Sequence, residues 1–112
     1  IHSFTPVFKG VARPGHFGIL WTRDPRVPRL LIDGLARMPG VVVGDNEPYS
    51  GQDEYGYTIE SHGAKRGLPH VLIEVRDDLI REEAGVARWG GILGDALAPI
   101  LADPALRRME RF

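Results

Sequence analysis

Two short stretches hold the residues most able to do chemistry. His2 stands beside Ser3 in Ile1-His2-Ser3-Phe4-Thr5, and Glu74 precedes Arg76 by two in His70-Val71-Leu72-Ile73-Glu74-Val75-Arg76. An imidazole held at a strand end with one side open can ligate a metal, or it can hydrogen-bond to neighbouring backbone. A carboxylate near a strand end can serve as a general base, or it can form an ion pair with the arginine on its own face. A third stretch, Gly44-Asp45-Asn46-Glu47-Pro48-Tyr49-Ser50-Gly51, offers the Asn46 amide, the Tyr49 phenol and the Ser50 hydroxyl. These groups suit a carbonyl or carboxylate ligand, or a hydrogen-bonded turn. Arg13, Arg66 and Arg76 are candidate carboxylate clamps through bidentate geometry. His16, His62 and His70 read as structural or exposed, and Trp21 and Trp89 as core anchors.

Composition narrows what such groups can do. The 112 residues, 12.4 kDa, are one domain by length. There is no cysteine, so a metal would need His or carboxylate ligands. Lys and Arg number 14 against 15 Asp and Glu. That balance implies no basic face for nucleic acid or an anionic membrane, and no apolar run reaches the roughly 20 residues that span a bilayer. No signal-peptide pattern is present, and the absence of cysteine leaves the redox compartment undetermined. P-loop, GxGxxG, HExxH and GxSxG patterns are all missing.

The elements that must position these groups follow from periodicity. Ile1 to Thr5 reads as the end of a strand stopped by Pro6, and residues 6–23 as a long structured loop. Asp24-Pro25 opens a helix over about residues 25–38, and Val41 to Val43 forms a short buried strand. Thr58 caps a short helix over Ile59 to Arg66 that Gly67 ends. His70 to Arg76 is the clearest strand, with His70, Leu72, Glu74 and Arg76 on one face. Glu82 to Ala102 carries Val86, Trp89, Leu93, Leu97 and Ile100 at helical spacing, Pro104 stops it, and the Arg-rich tail 107–111 lies on the surface. Alternating strands and helices specify an α/β fold with a mostly parallel sheet flanked by helices. Ligands of such sheets bind beyond the carboxyl ends of the strands, which predicts a site lined by residues 2–13, 45–51 and 74–78.

Taken together, His2-Ser3-Phe4-Thr5-Pro6-Val7, the Gly44 to Gly51 block and Gly67-Leu68-Pro69-His70-Val71-Leu72-Ile73-Glu74-Val75-Arg76-Asp77-Asp78-Leu79-Ile80 resemble the N-formylglutamate amidohydrolase family. The resemblance runs from residue 1 to about residue 100. It implies a zinc carboxypeptidase-like (phosphorylase/hydrolase-like) fold, in which a His-Ser dipeptide supplies the third metal ligand and a Glu-x-Arg strand the base. By that resemblance His2 is a ligand to a divalent metal, zinc first, and Glu74 is the catalytic base. Arg76 holds the substrate carboxylate or the local structure, Asn46, Tyr49 and Ser50 face the substrate, and Arg13 anchors a carboxylate. The implied reaction is hydrolysis of N-formyl-L-glutamate to formate and L-glutamate in histidine degradation. The alternatives are another amidase or carboxypeptidase of this fold, or a metal-free module that binds a carboxylate or a protein partner. The Glu-His-containing segment with the family's first metal ligands has no counterpart here. The chain is therefore expected to be the C-terminal portion of one amidohydrolase domain, or a natural short relative. The portion alone should be inactive and should self-associate.

Overall fold

The computed structural model describes residues 1–53 and 57–112. Six strands and two long helices form it: β1 (His2–Phe4), β2 (Val7–Phe8), β3 (Val11–Ala12), β4 (Phe17–Leu20), α1 (Arg26–Ala36), β5 (Val43–Asp45), β6 (Leu72–Arg76) and α2 (Glu83–Ala102). The main sheet has the order β1-β6-β4-β5. The β1–β6 and β4–β5 pairings are parallel and β4–β6 is antiparallel, so the sheet is mostly parallel within a mixed α/β fold.

The strand alternation divides the side chains between two environments. Phe17 and Ile19 of β4 and Ile73 and Val75 of β6 join Leu31 and Leu35 of α1 and Trp89, Leu93, Ala96 and Ile100 of α2 in one apolar core. Gly34 costs α1 some helix propensity where it faces α2, and a Cβ there would lie 3.8 Å from that of Ala96, an ordinary contact. Trp89 is the core anchor expected, with the His16 ring stacked on it at 4.6 Å and Phe17 edge-on at 5.7 Å. Trp21 is not. It is half-buried at the sheet end, where its indole Nε1 donates to Asp45 at 2.7 Å because a polar handle favours a wet boundary.

Several expectations need correction. Residues 6–23 are not one loop. They contain the β2–β3 hairpin, turned by Lys9 and Gly10 at φ 49° and 76°, and β4, which is buried along its whole length at the centre of the sheet. A four-residue strand interrupted by Gly18 carries too little pattern to be read locally. The strand placed at residues 41–43 begins at Val43 and runs through Asp45. His70 lies before β6 rather than in it, its Nδ1 2.7 Å from the Leu68 carbonyl oxygen. Thr58 is in helical conformation and makes no capping bond, and the segment it precedes is a π-helical turn, Ile59–Gly63, followed by a 3-10 turn, Ala64–Arg66. The tail is on the surface as expected, yet it is tied down: Arg26 donates to the Arg108 and Gly67 carbonyls, and the Glu110 amide donates to Gly67 at 2.8 Å.

Candidate active site

The antiparallel placement of β4 decides where the site lies. The carboxyl ends of β4 and β5 point opposite to those of β1 and β6, so residues 46–51 start from the wrong end to meet the chain after Glu74 at a shared sheet edge. The loop instead folds back across the face of the sheet that α1 and α2 leave free. His2 pairs with Glu74, Glu74 with Gly18 and Gly18 with Gly44, one cross-strand row on that face. A Cβ on Gly18 would overlap the Glu47 carbonyl oxygen, and one on Gly44 would lie 2.8 Å from it. Two glycines thus admit the Glu47–Pro48 segment, joined by a cis peptide bond, onto the sheet.

The result is a cavity of about 380 Å³ lined by His2, Ser3, Leu20, Tyr49, Leu72 and Glu74. Glu74 is 5% exposed and its Oε2 has no hydrogen-bond partner among the described residues, while Oε1 lies 3.7 Å from His2 Nδ1. Burial pushes the Glu74 carboxyl above its ordinary range, against the smaller opposing pull of His2 and Arg13. The ion pair between Glu74 and Arg76 considered from the sequence does not form. Arg76 is held by Asp78 at 2.7 Å and donates to the carbonyls of Arg13, Pro14 and Gly15 at 3.2, 3.1 and 3.5 Å. It braces the loop that carries Arg13 and does not line the cavity.

Arg13 does not line the cavity but bonds Tyr49, which does. Its guanidinium lies over the Phe8 ring at 4.7 Å and the Tyr49 ring at 5.1 Å, and Nη1 donates to the Tyr49 hydroxyl at 3.3 Å and to Thr5 Oγ1 at 3.2 Å. Asn46 holds the loop itself: with φ at 54°, its Oδ1 accepts the Trp21 amide at 3.0 Å and the Gly51 amide at 2.8 Å. Ser50 Oγ likewise accepts the Gln52 amide at 3.1 Å. The structure therefore gathers His2, Glu74 and Tyr49 at the cavity with Arg13 against Tyr49, and leaves Asn46, Ser50 and Arg76 in bonds that shape the surroundings. The sequence assigns no role at the site to Gly18, Gly44, Leu20 or Phe8. A glycine inside a buried apolar run was the available sign of a close backbone approach.

A catalytic zinc ordinarily takes three protein ligands. Among the described residues no group of three His, Asp or Glu side chains converges, so one exposed imidazole beside Glu74 does not make a metal site by itself. A larger cavity, about 530 Å³, lies between Asp24, His70 and Phe112. The Asp24 carboxylate there is already bound on both oxygens by Arg26, at 2.9 and 2.6 Å.

A buried carboxylate facing an imidazole on an open sheet surface is equipment for proton transfer. Residues 1–81 match the family model described as N-formylglutamate amidohydrolase, and the chain belongs to that family. In structure it is similar to gene product Atu2144 from Agrobacterium tumefaciens, with a TM-score of 0.77 and 35% identity over 88% of this chain. The chain spans 40% of the length of that relative. No curated protein sequence matches it.

Proposed function

We propose that these residues form part of the active site of an amidohydrolase that cleaves the C–N bond of a small N-acyl amino acid. The observation that carries this is Glu74, a carboxylate buried with no hydrogen-bond partner on Oε2 among the described residues, in a cavity shared with His2 and Tyr49. A carboxyl raised by burial is suited to take a proton from a water attacking the acyl carbon and to return it to the nitrogen as the C–N bond breaks. Arg13 holds a substrate carboxylate through its guanidinium. His2 would serve as one ligand of a divalent ion, zinc by the resemblance, with the other ligands supplied from outside these 112 residues. N-formyl-L-glutamate, yielding formate and L-glutamate in histidine degradation, is the first substrate of this reading, and a cytoplasmic setting goes with it. No helix among the described residues is long and apolar enough to cross a membrane.

A second reading, another acyl-amino acid, is favoured by one feature. Glutamate presents two carboxylates, whereas among the described residues no arginine lines this cavity, and Arg13 meets it only through its bond to Tyr49. The test of the common chemistry is Glu74→Gln in the natural full-length protein. Formate release should fall by about 10²-fold or more, as for loss of a general base, with substrate affinity retained. Turnover close to wild type would remove Glu74 from the role.

A further inference from the structure

We propose that the cavity of about 530 Å³ against His70 binds a free α-amino acid, as a zwitterion, at a site separate from Glu74. The proposal goes beyond the amidohydrolase reading and does not depend on it. Leu20 and Leu72 line the Glu74 cavity; two residues after the one and two before the other, Thr22 and His70 line this one. The His70 side chain is 8% exposed and its ring is closely seated, since a Cβ on Gly63 would lie 2.7 Å from His70 Cβ and Cγ. Nδ1 lies 2.7 Å from the Leu68 carbonyl oxygen, which can only accept, so Nδ1 carries a proton. In the neutral ring Nε2 is then an acceptor, and it is buried with no partner among the described residues. Asp24, the other buried polar group of the wall, is a carboxylate already bound by Arg26 and has no proton to offer. A buried acceptor in a cavity wall calls for a donor from a ligand.

The rest of the wall holds charges of both signs that do not satisfy one another. Arg23, Lys65 and Arg111 are exposed cations, Glu60 and Glu110 are exposed anions, and none of the five forms an ion pair among the described residues. Glu60 comes from the π-helical turn Ile59–Gly63 and Lys65 from the 3-10 turn after it. Such π-helical turns are rare and are frequent at functional sites. A simple anion would find the cations, but it would offer no proton to Nε2 and would meet Glu60 and Glu110. A simple amine would serve Nε2 and the glutamates and leave three cations unanswered. An ammonium and a carboxylate held a few bonds apart answer both sets. The ammonium donates to Nε2 and to a glutamate carboxylate, and the ligand carboxylate accepts from the arginine and lysine side chains. The cavity is of the size that small-molecule sites have.

NMR of the natural full-length protein with isotope-labelled histidine reads the site directly, because a ring nitrogen's resonance moves when its lone pair accepts a hydrogen bond. At about pH 8, above the imidazole range, at least one of the common amino acids at millimolar concentration should move the His70 Nε2 signal saturably. Its N-acetyl derivative, which lacks the ammonium, and its amide, which lacks the carboxylate, should each bind about tenfold more weakly or worse. Glu60→Gln, and Lys65→Gln combined with Arg111→Gln, should each weaken binding by a similar factor with the melting temperature unchanged, since these side chains are exposed. Glu74→Gln should leave the binding as it is. A His70 signal that no amino acid moves overturns the proposal and assigns Nε2 to a trapped water. Equal binding of the N-acetyl derivative or of the amide overturns it as well, because the site would then answer to a single charge. Loss of binding in Glu74→Gln would put the amino acid at Glu74 instead. All of these readings are of binding, so they hold whether or not the protein hydrolyses an amide.

Discussion

Of the two buried carboxylates among the described residues, Asp24 is bound by Arg26 and Glu74 by no arginine, and burial of Glu74 sets a direction for stability as well as for catalysis. Because its carboxyl is raised in the folded state, the native protein keeps that proton to higher pH than the unfolded chain does. Ionising Glu74 therefore removes stability as pH climbs from the ordinary carboxylate range through the raised value. Glu74→Gln should melt higher than wild type at neutral pH, with the difference closing at about pH 4, where both side chains are uncharged. Melting curves across that range check it, and an equal difference at both ends would contradict the assignment. His16 runs the other way. Burial, reinforced by Arg76 and Arg88, lowers its ring below the usual value, and neutral Nδ1 accepts the Val42 amide at 2.8 Å. That contribution is complete above the unfolded value of about 6.5 and is lost as pH falls through the lowered native one. His16→Phe keeps a ring against Trp89 and loses the acceptor, so it should cost about 1 kcal/mol at neutral pH and flatten the acid side of the stability profile. Urea titrations at two pH values measure both effects.

Among the elements, the sheet's free face depends on two positions that carry no side chain. Gly18→Ala forces a methyl group against the Glu47 carbonyl and must lift the loop that presents Tyr49. Displacement of a site by about 1 Å can cost on the order of 10²-fold in rate, so formate release should fall by about that much. Melting should drop by only several degrees, since the core lies on the opposite face. Unchanged activity in a folded Gly18→Ala protein would show that the loop does not position the site. Trp89→Ala is the converse case: it opens the core between α2 and β4 and should cost about 3–5 kcal/mol, read by denaturant unfolding.

For the whole molecule, β1 ends the sheet with no strand beyond it among the described residues, and the hairpin beside it exposes Val7, Phe8 and Val11 at 53%, 52% and 66%. An open edge next to exposed apolar side chains is a template for pairing. The isolated 112 residues should self-associate, with a mass by light scattering that rises with concentration. A monodisperse monomer with a sharp cooperative melt would count against that expectation.

What could be read from the chain alone was local. The period of two in residues 72–76, the helical spacing from Trp89 to Ile100 and the motif blocks around His2, Asn46 and Glu74 sufficed for β6, α2, the family and the chemical groups at stake. Their surroundings could not be read, because a contact between residues far apart in sequence leaves no mark in either segment. Only the tertiary structure set β4 antiparallel to β6, which moved the loop of residues 46–51 from the sheet edge to its face. Only it assigned Arg76 to Asp78 and Asn46 to the backbone, leaving Tyr49 at the cavity wall with Arg13 bonded to it. The residue types determined which chemistry was available, whereas burial and strand direction, both properties of the folded whole, decided which of those residues meet.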